Sequence, residues 1–245
     1  MEKYRPTPQE AQNMKMKPDA LKVSGDRMFA TIQGEGDSIG KPATFLRLNF
    51  CNLACDWCDT KYTWDSTKPE YWKEASDMNY QQVAETVFQN PSRRLVITGG
   101  EPLIQQDKIS KLLEFLPGVD IEIETNGTIE PSEGLKDCQF NVSPKLSNSG
   151  NSKEKRYKPN VLRKFNDMEK SFFKFVVEKP EDLEEVDEII KDCDLKQEKI
   201  IIMPEGTNQD AIQAHALAIQ QEVEARGWRL LPRMQVMLWG SKRGV

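Results

Sequence analysis

Three of the chain's five cysteines lie in one short stretch, Cys51-Asn52-Leu53-Ala54-Cys55-Asp56-Trp57-Cys58-Asp59-Thr60. The spacing is Cys-x3-Cys-x2-Cys, so three thiolates on one loop can converge on a single metal centre. Zinc sites usually draw on two separated pairs of ligands, but no second pair exists here, and the one histidine, His215, is distant in the sequence. Iron–sulfur cubanes normally take four thiolates, so a loop with three leaves one iron open to a small molecule.

Simple packing or a disulfide explains this loop less well than metal binding does. A disulfide would leave an odd thiol in the trio, and the N-terminal residues lack the apolar core of a signal peptide. The cysteines are surrounded by polar residues, namely Asn52, Asp56 and Asp59, which does not suit a packed core. The two remaining cysteines, Cys138 and Cys193, are interpreted as ordinary packing or surface thiols.

The composition limits the possible partners of the chain. Hydrophobic residues make up 38% of the 245 residues and charged residues 30%, and no apolar run approaches the roughly 20 residues that a membrane helix requires. The net charge of −5 argues against a nucleic-acid partner, because phosphate binding requires a concentrated basic surface. We therefore expect a cytoplasmic protein that binds neither membranes nor nucleic acids.

The alternation of strand and helix patterns predicts an α/β fold. Six such units with right-handed crossovers predict a partial (β/α)6 barrel that is open on one side. The predicted strands after the N-terminal region cover residues 43–50, 94–98, 119–124, 139–142, 171–177 and 199–203. We expect a flexible arm over residues 1–25 and a single domain over 26–245, with the apolar segment 228–245 docked on it. The polar stretch 146–167 predicts a flexible excursion or lid.

The strand over residues 43–50 delivers the cysteine loop at its C-terminal end, where active sites of β/α barrels lie. Alternation places Leu46 and Leu48 on one face and Arg47 on the other, pointing into the barrel. An inward arginine requires an anion, which is either a substrate group or a core Asp or Glu. The next predicted strand runs into Gly99-Gly100-Glu101-Pro102, which is either a simple turn or part of a ligand site.

Three motifs carry a resemblance to a known family. The cysteine spacing, with Trp57 just before the third cysteine, resembles the radical S-adenosylmethionine superfamily. The stretch Thr31-Ile32-Gln33-Gly34-Glu35-Gly36 and the ending Cys58-Asp59-Thr60 make the chain similar to the 7-carboxy-7-deazaguanine synthase family from about Asp26 onward. The resemblance implies a radical-SAM-type barrel that converts 6-carboxy-5,6,7,8-tetrahydropterin to 7-carboxy-7-deazaguanine. Ammonia is lost in this reaction, which serves queuosine and 7-deazapurine biosynthesis.

The resemblance also implies how cofactors and substrate are bound. Cys51, Cys55 and Cys58 would hold a 4Fe–4S cluster whose open iron binds S-adenosylmethionine, and Thr60, in isolation a turn residue, would be a ligand of Mg²⁺. The residues implied to contact S-adenosylmethionine are Trp57, Asp59, Gly99, Gly100, Glu101, Glu124, Asn126, Ser143, Lys145, Met203, Pro204, Glu205 and Gly206. The residues implied to contact the pterin substrate are Ile32, Gln33, Gly34, Glu35, Arg47, Thr98 and Gln235.

The chain departs from the family pattern near its C-terminus. Where family members often have Pro-Gln-x-His, this chain has Pro232-Arg233-Met234-Gln235. The histidine is missing, which leaves open whether Arg233 and Gln235 replace the family's glutamine and histidine. The resemblance further implies an electron donor such as flavodoxin, and it suggests a homodimer.

Two other functions fit part of the sequence. A radical activating enzyme, which makes a glycyl radical on a partner protein, explains the cysteines and Gly99-Gly100-Glu101-Pro102 equally well. It accounts poorly for Gln33-Gly34-Glu35-Gly36 and for the inward Arg47. A non-catalytic iron–sulfur sensor would require neither the glycine motif nor a buried anion site.

Overall fold

The computed structural model describes residues 4–245, apart from the side chain of Asp26. Its strands are β1 (Ala20–Ile32), β2 (Pro42–Leu48), β3 (Ser76–Asn79), β4 (Arg94–Gly99), β5 (Asp120–Thr125), β6 (Gln139–Val142), β7 (Ser171–Val177), β8 (Ile200–Pro204) and β9 (Arg229–Leu230). Its α-helices are α1 (Pro8–Asn13), α2 (Pro69–Lys73), α3 (Tyr80–Gln89), α4 (Gln106–Leu113), α5 (Lys153–Arg156), α6 (Pro159–Asp167), α7 (Asp182–Cys193), α8 (Gln209–Ala225) and α9 (Met234–Trp239).

The strands form one sheet in the order β3-β1-β2-β4-β5-β6-β7-β8-β9. From β2 to β9 every neighbouring pair is parallel, whereas β1 is antiparallel to both β2 and β3. The sheet ends at β3 and β9 without closing, so the predicted open, partial β/α barrel is confirmed. The parallel strands run in sequence order, which brings their C-terminal ends to the same edge, where barrel active sites form.

The two faces of the sheet carry different kinds of side chain, as the alternation along β2 predicts. Leu46 and Leu48 are fully buried in the main hydrophobic core, together with residues of the helices packed outside the sheet. On the other face, Phe45 belongs to a small apolar cluster against which Phe29 packs, and the two rings stack with centroids 5.3 Å apart. Arg47 lies on this inner face, beside the cavity described below.

The sequence predicted a flexible arm over residues 1–25, but part of this region forms regular secondary structure. Strand β1 begins at Ala20, and its Leu21 and Val23 are fully buried. Ahead of it, α1 begins with a capping box in which Thr7 and Glu10 bond reciprocally to each other's backbone N–H groups. The arm therefore ends before residue 20, because β1 pairs along β3, a strand that the sequence did not indicate. Residues 1–3 of the predicted arm lie outside the described residues.

The sequence predicted a flexible excursion or lid over residues 146–167, but the structure shows a folded segment. This stretch contains α5 and α6, and Leu162 and Phe165 of α6 are buried in the core. Arg156 fixes the segment from inside, since its Nη1 lies 2.6 Å from Glu185 Oε1 of α7 and donates to the carbonyl of Lys145 at 2.9 Å. None of the helices described for residues 4–245 has the length and apolar character needed to cross a membrane.

Candidate active site

A cavity of about 430 Å³ lies at the C-terminal ends of the parallel strands. The cysteine loop, the ends of β2, β4, β5 and β8, and the C-terminal segment all contribute to its wall. Of the site residues predicted from the sequence, all but Glu101 and Pro204 line this one cavity. The fold therefore brings together residues that are separated by up to about 200 positions in the chain.

The three cysteines of the loop are free thiols that face the cavity. Cys55 is buried, and Cys51 and Cys58 are partly buried. Within residues 4–245, no three His, Cys, Asp or Glu side chains lie close enough together to share one metal ion. In a cubane, each of the three thiolates would bind a different iron.

Polar N–H groups surround the thiol sulfurs, as is common around cluster sulfurs. Asn151 Nδ2 lies 3.3 Å from Cys55 Sγ, and Trp64 Nε1 lies 3.3 Å from Cys58 Sγ. Burial raises the pKa of the Cys51 thiol to about 11. A bound metal reverses that preference, because a coordinating thiol is deprotonated outright. The donor set and its surroundings therefore fit an iron–sulfur cluster.

Two glycines let strand β4 approach the base of the cysteine loop. Gly99 has a φ of +125°, and a Cβ there would lie 2.2 Å from the carbonyl oxygen of Leu48. A Cβ on Gly100 would lie 1.9 Å from the carbonyl oxygen of Phe50. The amides of Gly100 and Glu101 donate to these same two carbonyls at 3.0 and 2.7 Å. The glycine motif thus fixes the cysteine loop on the end of the sheet.

Glu101, which was predicted to contact S-adenosylmethionine, does not line the cavity. Its fully buried carboxylate accepts hydrogen bonds from the amides of Leu103 and Asn126, at 3.0 and 2.7 Å, and from Thr125 Oγ1 at 2.8 Å. Burial raises the pKa of this carboxyl, and the hydrogen bonds oppose that shift. Glu101 therefore ties the end of β4 to the end of β5. Pro204, at the end of β8, is likewise absent from the wall.

The wall near the thiols is formed by the residues predicted to contact S-adenosylmethionine. Asn126 Nδ2 donates to Asn52 Oδ1 of the cysteine loop at 2.9 Å. Lys145 Nζ donates to Ser143 Oγ at 2.7 Å and lies 5.6 Å from the centroid of the Trp57 ring. Burial lowers the pKa of Lys145, an effect opposed by the nearby thiolate of Cys55. These contacts join the loops after β2, β5 and β6 around one side of the cavity.

A layer of hydrogen-bonded polar groups forms the floor of the cavity. Gln33 Nε2 donates to Glu122 Oε1 at 2.6 Å and to Glu124 Oε1 at 3.1 Å. Thr98 Oγ1 donates to Glu124 Oε2 at 2.6 Å. Glu122 is fully buried and pairs with Arg94, whose Nη1 lies 3.3 Å away. Both oxygens of Glu124 are thereby fixed, and Gln33, Thr98 and Glu124 form a preorganised surface.

Arg47 lines the cavity without an anionic partner among the described residues. Its Nε is buried and makes no hydrogen bond within residues 4–245. Its guanidinium instead lies 5.8 Å from the centroid of the Phe29 ring, a distance compatible with a cation–π contact. The sequence left open a structural ion pair or a bound anion for Arg47. The structure contains no such ion pair in its described part, which favours a bound anion.

A buried ionic cluster that the sequence did not indicate surrounds Glu35. Lys174 Nζ pairs with Glu35 Oε2, Arg233 Nε lies 2.9 Å from Oε1, and Gln235 Nε2 donates to Oε1 at 2.6 Å. Burial alone would raise the pKa of Glu35, but Lys174 and Arg233 hold it well below its usual range. Lys174 could have been suspected, since it is the one charged residue in the apolar strand β7.

The C-terminal segment lies against the cavity. Trp228 is buried, and the amide of Met234 donates to the carbonyl of Gly34 at 2.9 Å. Beyond α9, residues 240–245 line the cavity, and the Arg243 guanidinium stacks 3.8 Å from the centroid of the Tyr62 ring. Gln235 faces the site, and its Oε1 is buried without a hydrogen-bond partner in the described part of the chain.

Comparison with known proteins gives a consistent family of relatives. Residues 46–143 match the Radical SAM superfamily. The chain is 34% identical to the 7-carboxy-7-deazaguanine synthase of Pyrobaculum aerophilum, over 89% of this chain and 95% of the relative. It is 32% identical to the synthase of the same name from Escherichia coli, over 84% of this chain and 93% of the relative. The crystal structure of QueE from Escherichia coli superposes with a TM-score of 0.66 at 29% identity, covering 88% of this chain and 94% of that one.

Proposed function

The chain belongs to the 7-carboxy-7-deazaguanine synthase family of the radical S-adenosylmethionine superfamily, and we propose how its cavity performs that family's reaction. The substrate is 6-carboxy-5,6,7,8-tetrahydropterin, and the products are 7-carboxy-7-deazaguanine and ammonia, in queuosine biosynthesis. The observation that carries the proposal is that three free thiols and the unpartnered Arg47 guanidinium share one cavity. The thiols suit a cluster, and the guanidinium suits a carboxylate.

Cys51, Cys55 and Cys58 would hold the 4Fe–4S cluster that the superfamily implies. When bound, the cluster and S-adenosylmethionine together supply the one-electron chemistry that begins hydrogen abstraction from the substrate. The protein supplies position and charge. Asn126, Ser143 and Lys145 form the wall beside the thiols and are proposed to contact the cofactor.

Arg47 is proposed to bind the substrate carboxylate. A planar guanidinium can donate two parallel hydrogen bonds to a carboxylate, and its unpaired Nε supplies one of these donors. The pterin ring would then lie over the floor of Gln33, Thr98 and Glu124, whose orientations are already fixed by mutual hydrogen bonds. The unpartnered Gln235 Oε1 offers an acceptor for a ring N–H group. The substrate would thereby be oriented before reaction.

Mg²⁺ is proposed to bind through Thr60 in the substrate complex. Thr60 lines the cavity one position beyond Asp59, and its Oγ1 lies 3.6 Å from Cys58 Sγ. A hard cation prefers oxygen ligands and retains several waters. One hydroxyl therefore suffices only if the substrate provides further oxygens.

A homodimer, an electron donor such as flavodoxin and a cytoplasmic location are further parts of the proposal. The exposed apolar side chains of α9, namely Met237, Leu238 and Trp239, support a subunit interface. Light scattering of the purified protein tests the dimer, and turnover with reduced flavodoxin in place of a chemical reductant tests the donor.

A radical activating enzyme and an iron–sulfur sensor are not favoured, because the relatives named here are synthases that match nearly the whole chain. Neither alternative explains why Arg47 is presented to the cavity without an ion-pair partner in the described residues. Turnover of the free pterin by anaerobically reconstituted protein, without any protein substrate, separates the synthase from both alternatives.

A further inference from the structure

Arg233 contacts three loops that come from distant parts of the chain. Its Nε lies 2.9 Å from Glu35 Oε1, in the loop of residues 33–36. Its Nη2 lies 2.5 Å from Asp59 Oδ2, in the cysteine loop of residues 51–60. Its Nη1 donates to the carbonyl of Gly206 at 3.0 Å, in the loop of residues 205–207 that follows β8. Each of the three guanidinium nitrogens therefore bonds to a different loop.

Each of these loops has a separate task in the proposed function. We name them the substrate loop (33–36), the cysteine loop (51–60) and the cofactor loop (205–207). They follow β1, β2 and β8, so backbone pairing within the sheet does not connect their tips. A side chain that bonds to all three is the direct physical link between them.

The geometry of these contacts requires arginine. A guanidinium presents its donors in a fixed plane and can satisfy several acceptors at once, whereas a lysine ammonium is a point charge at the end of a flexible stem. The Arg233 side chain is only 14% exposed and the Glu35 side chain 13%, so this pair is shielded from water and is stronger than a surface ion pair, whereas Asp59 is 51% exposed. The sequence shows arginine at the place where the family motif has glutamine.

We propose that Arg233 is a positioning residue that holds the substrate, cysteine and cofactor loops in the arrangement that the reaction requires. It is not assigned contact with the reacting atoms. The tasks given to the three loops rest on the proposed function. The bonds from Arg233 to the three loops do not depend on which substrate is bound.

Arg229 offers a matched control in the same C-terminal segment. It makes one ion pair, with Nη1 2.7 Å from Asp37 Oδ1, and its side chain is 39% exposed. It does not line the cavity. Replacing either arginine should not disturb the N-terminus of helix α9, because the Arg233 side chain makes no capping hydrogen bond there.

Hydrogen–deuterium exchange of the cluster-loaded protein tests the link directly. In Arg233→Gln, amides in all three loops should exchange faster by about tenfold or more, the scale of one lost charge-assisted hydrogen bond. Exchange in β4, β7 and β8 should not change. Arg229→Gln should leave the cysteine and cofactor loops as in the wild type.

Kinetics supply the second readout. With iron content unchanged and at a temperature well below the melting point of each variant, Arg233→Gln should raise KM for the pterin and for S-adenosylmethionine together, and Arg233→Lys should lie between it and the wild type. If Arg233→Gln does not fold, Arg233→Lys carries the test, and wild-type exchange in its three loops would overturn the proposal. Unchanged exchange of the cysteine and cofactor loops in a folded Arg233→Gln protein would overturn it as well. If the exchange result holds but the wild type makes no deazapurine, the proposed function fails and the link stands.

Discussion

The guanidinium carbon of Arg47 lies 5.8 Å from the centroid of the Phe29 ring. Phe29 covers one side of the cation without neutralising it, and Nε is buried without a hydrogen bond in the described part of the chain. Leaving a buried donor unsatisfied costs about 1–3 kcal/mol, so the arrangement is explained if a ligand completes it. The carboxylate of the proposed substrate would supply the missing acceptor.

Replacing Arg47 should weaken substrate binding selectively. Arg47→Lys keeps the charge but loses the planar fork, and we expect KM for the pterin to rise by about tenfold, with a larger rise for Arg47→Ala. Steady-state kinetics give KM, and equilibrium binding of S-adenosylmethionine serves as the control that should barely change. A wild-type KM in Arg47→Ala would show that Arg47 has only a structural role.

The three cysteines of the loop should be the only protein ligands of the cluster. Anaerobic reconstitution should give about four irons per chain, and Ala at Cys51, Cys55 or Cys58 should abolish the cluster absorbance. Cys138→Ala and Cys193→Ala are matched controls, since both thiols are buried in the main core. Loss of the cluster in either control would contradict the ligand assignment.

Magnesium should act through the substrate complex. Because a single hydroxyl binds Mg²⁺ weakly, the ion should tighten pterin binding, and the pterin should tighten Mg²⁺ binding by the same factor. Thr60→Val removes the oxygen at nearly constant volume and should reduce both effects while the cluster absorbance stays unchanged. Titration calorimetry measures both couplings. Tight Mg²⁺ binding to substrate-free protein would place the ion elsewhere.

Glu35 should stabilise the fold in a pH-dependent way. Glu35→Gln leaves Lys174 and Arg233 without their shared carboxylate, so the free energy of unfolding at pH 7 should fall by about 3–5 kcal/mol. The cations hold the pKa of Glu35 below its usual range, although burial opposes this. The stabilisation is therefore full above the unfolded pKa of about 4.3 and declines as the pH falls below it.

Urea denaturation of the cluster-free protein at several pH values checks this sign. The difference between the wild type and Glu35→Gln should narrow as the pH decreases below about 4. Glu133→Gln, which removes an exposed ion pair with Lys136, should change stability far less. A difference that widens in acid would show that Glu35 is neutral in the folded protein.

The sequence predicted local features of this fold better than long-range ones. The alternation along β2 placed Arg47 and Leu48 on opposite faces, because strand periodicity is a local property. The cysteine spacing likewise predicted the loop that lines the cavity. The start of β1 inside the predicted flexible arm was missed, because it depends on pairing with β3, some 55 residues away.

Side-chain partners were the least predictable part of the site. Glu101 carries a carboxylate suited to a ligand, yet its bonds to Leu103 and Asn126 use it as a link between strands. Lys174 interrupts an apolar strand, which signals a buried charge, but the sequence does not indicate that Glu35 neutralises it. Such pairings arise only when the barrel brings distant strand ends together.

The most direct test of the central claim is mass spectrometry of the reaction products. Reconstituted protein is supplied with S-adenosylmethionine, a reductant and 6-carboxy-5,6,7,8-tetrahydropterin under anaerobic conditions. We expect 7-carboxy-7-deazaguanine and ammonia as the products. Protein with a full cluster that cleaves S-adenosylmethionine but leaves the pterin unchanged would contradict the assignment.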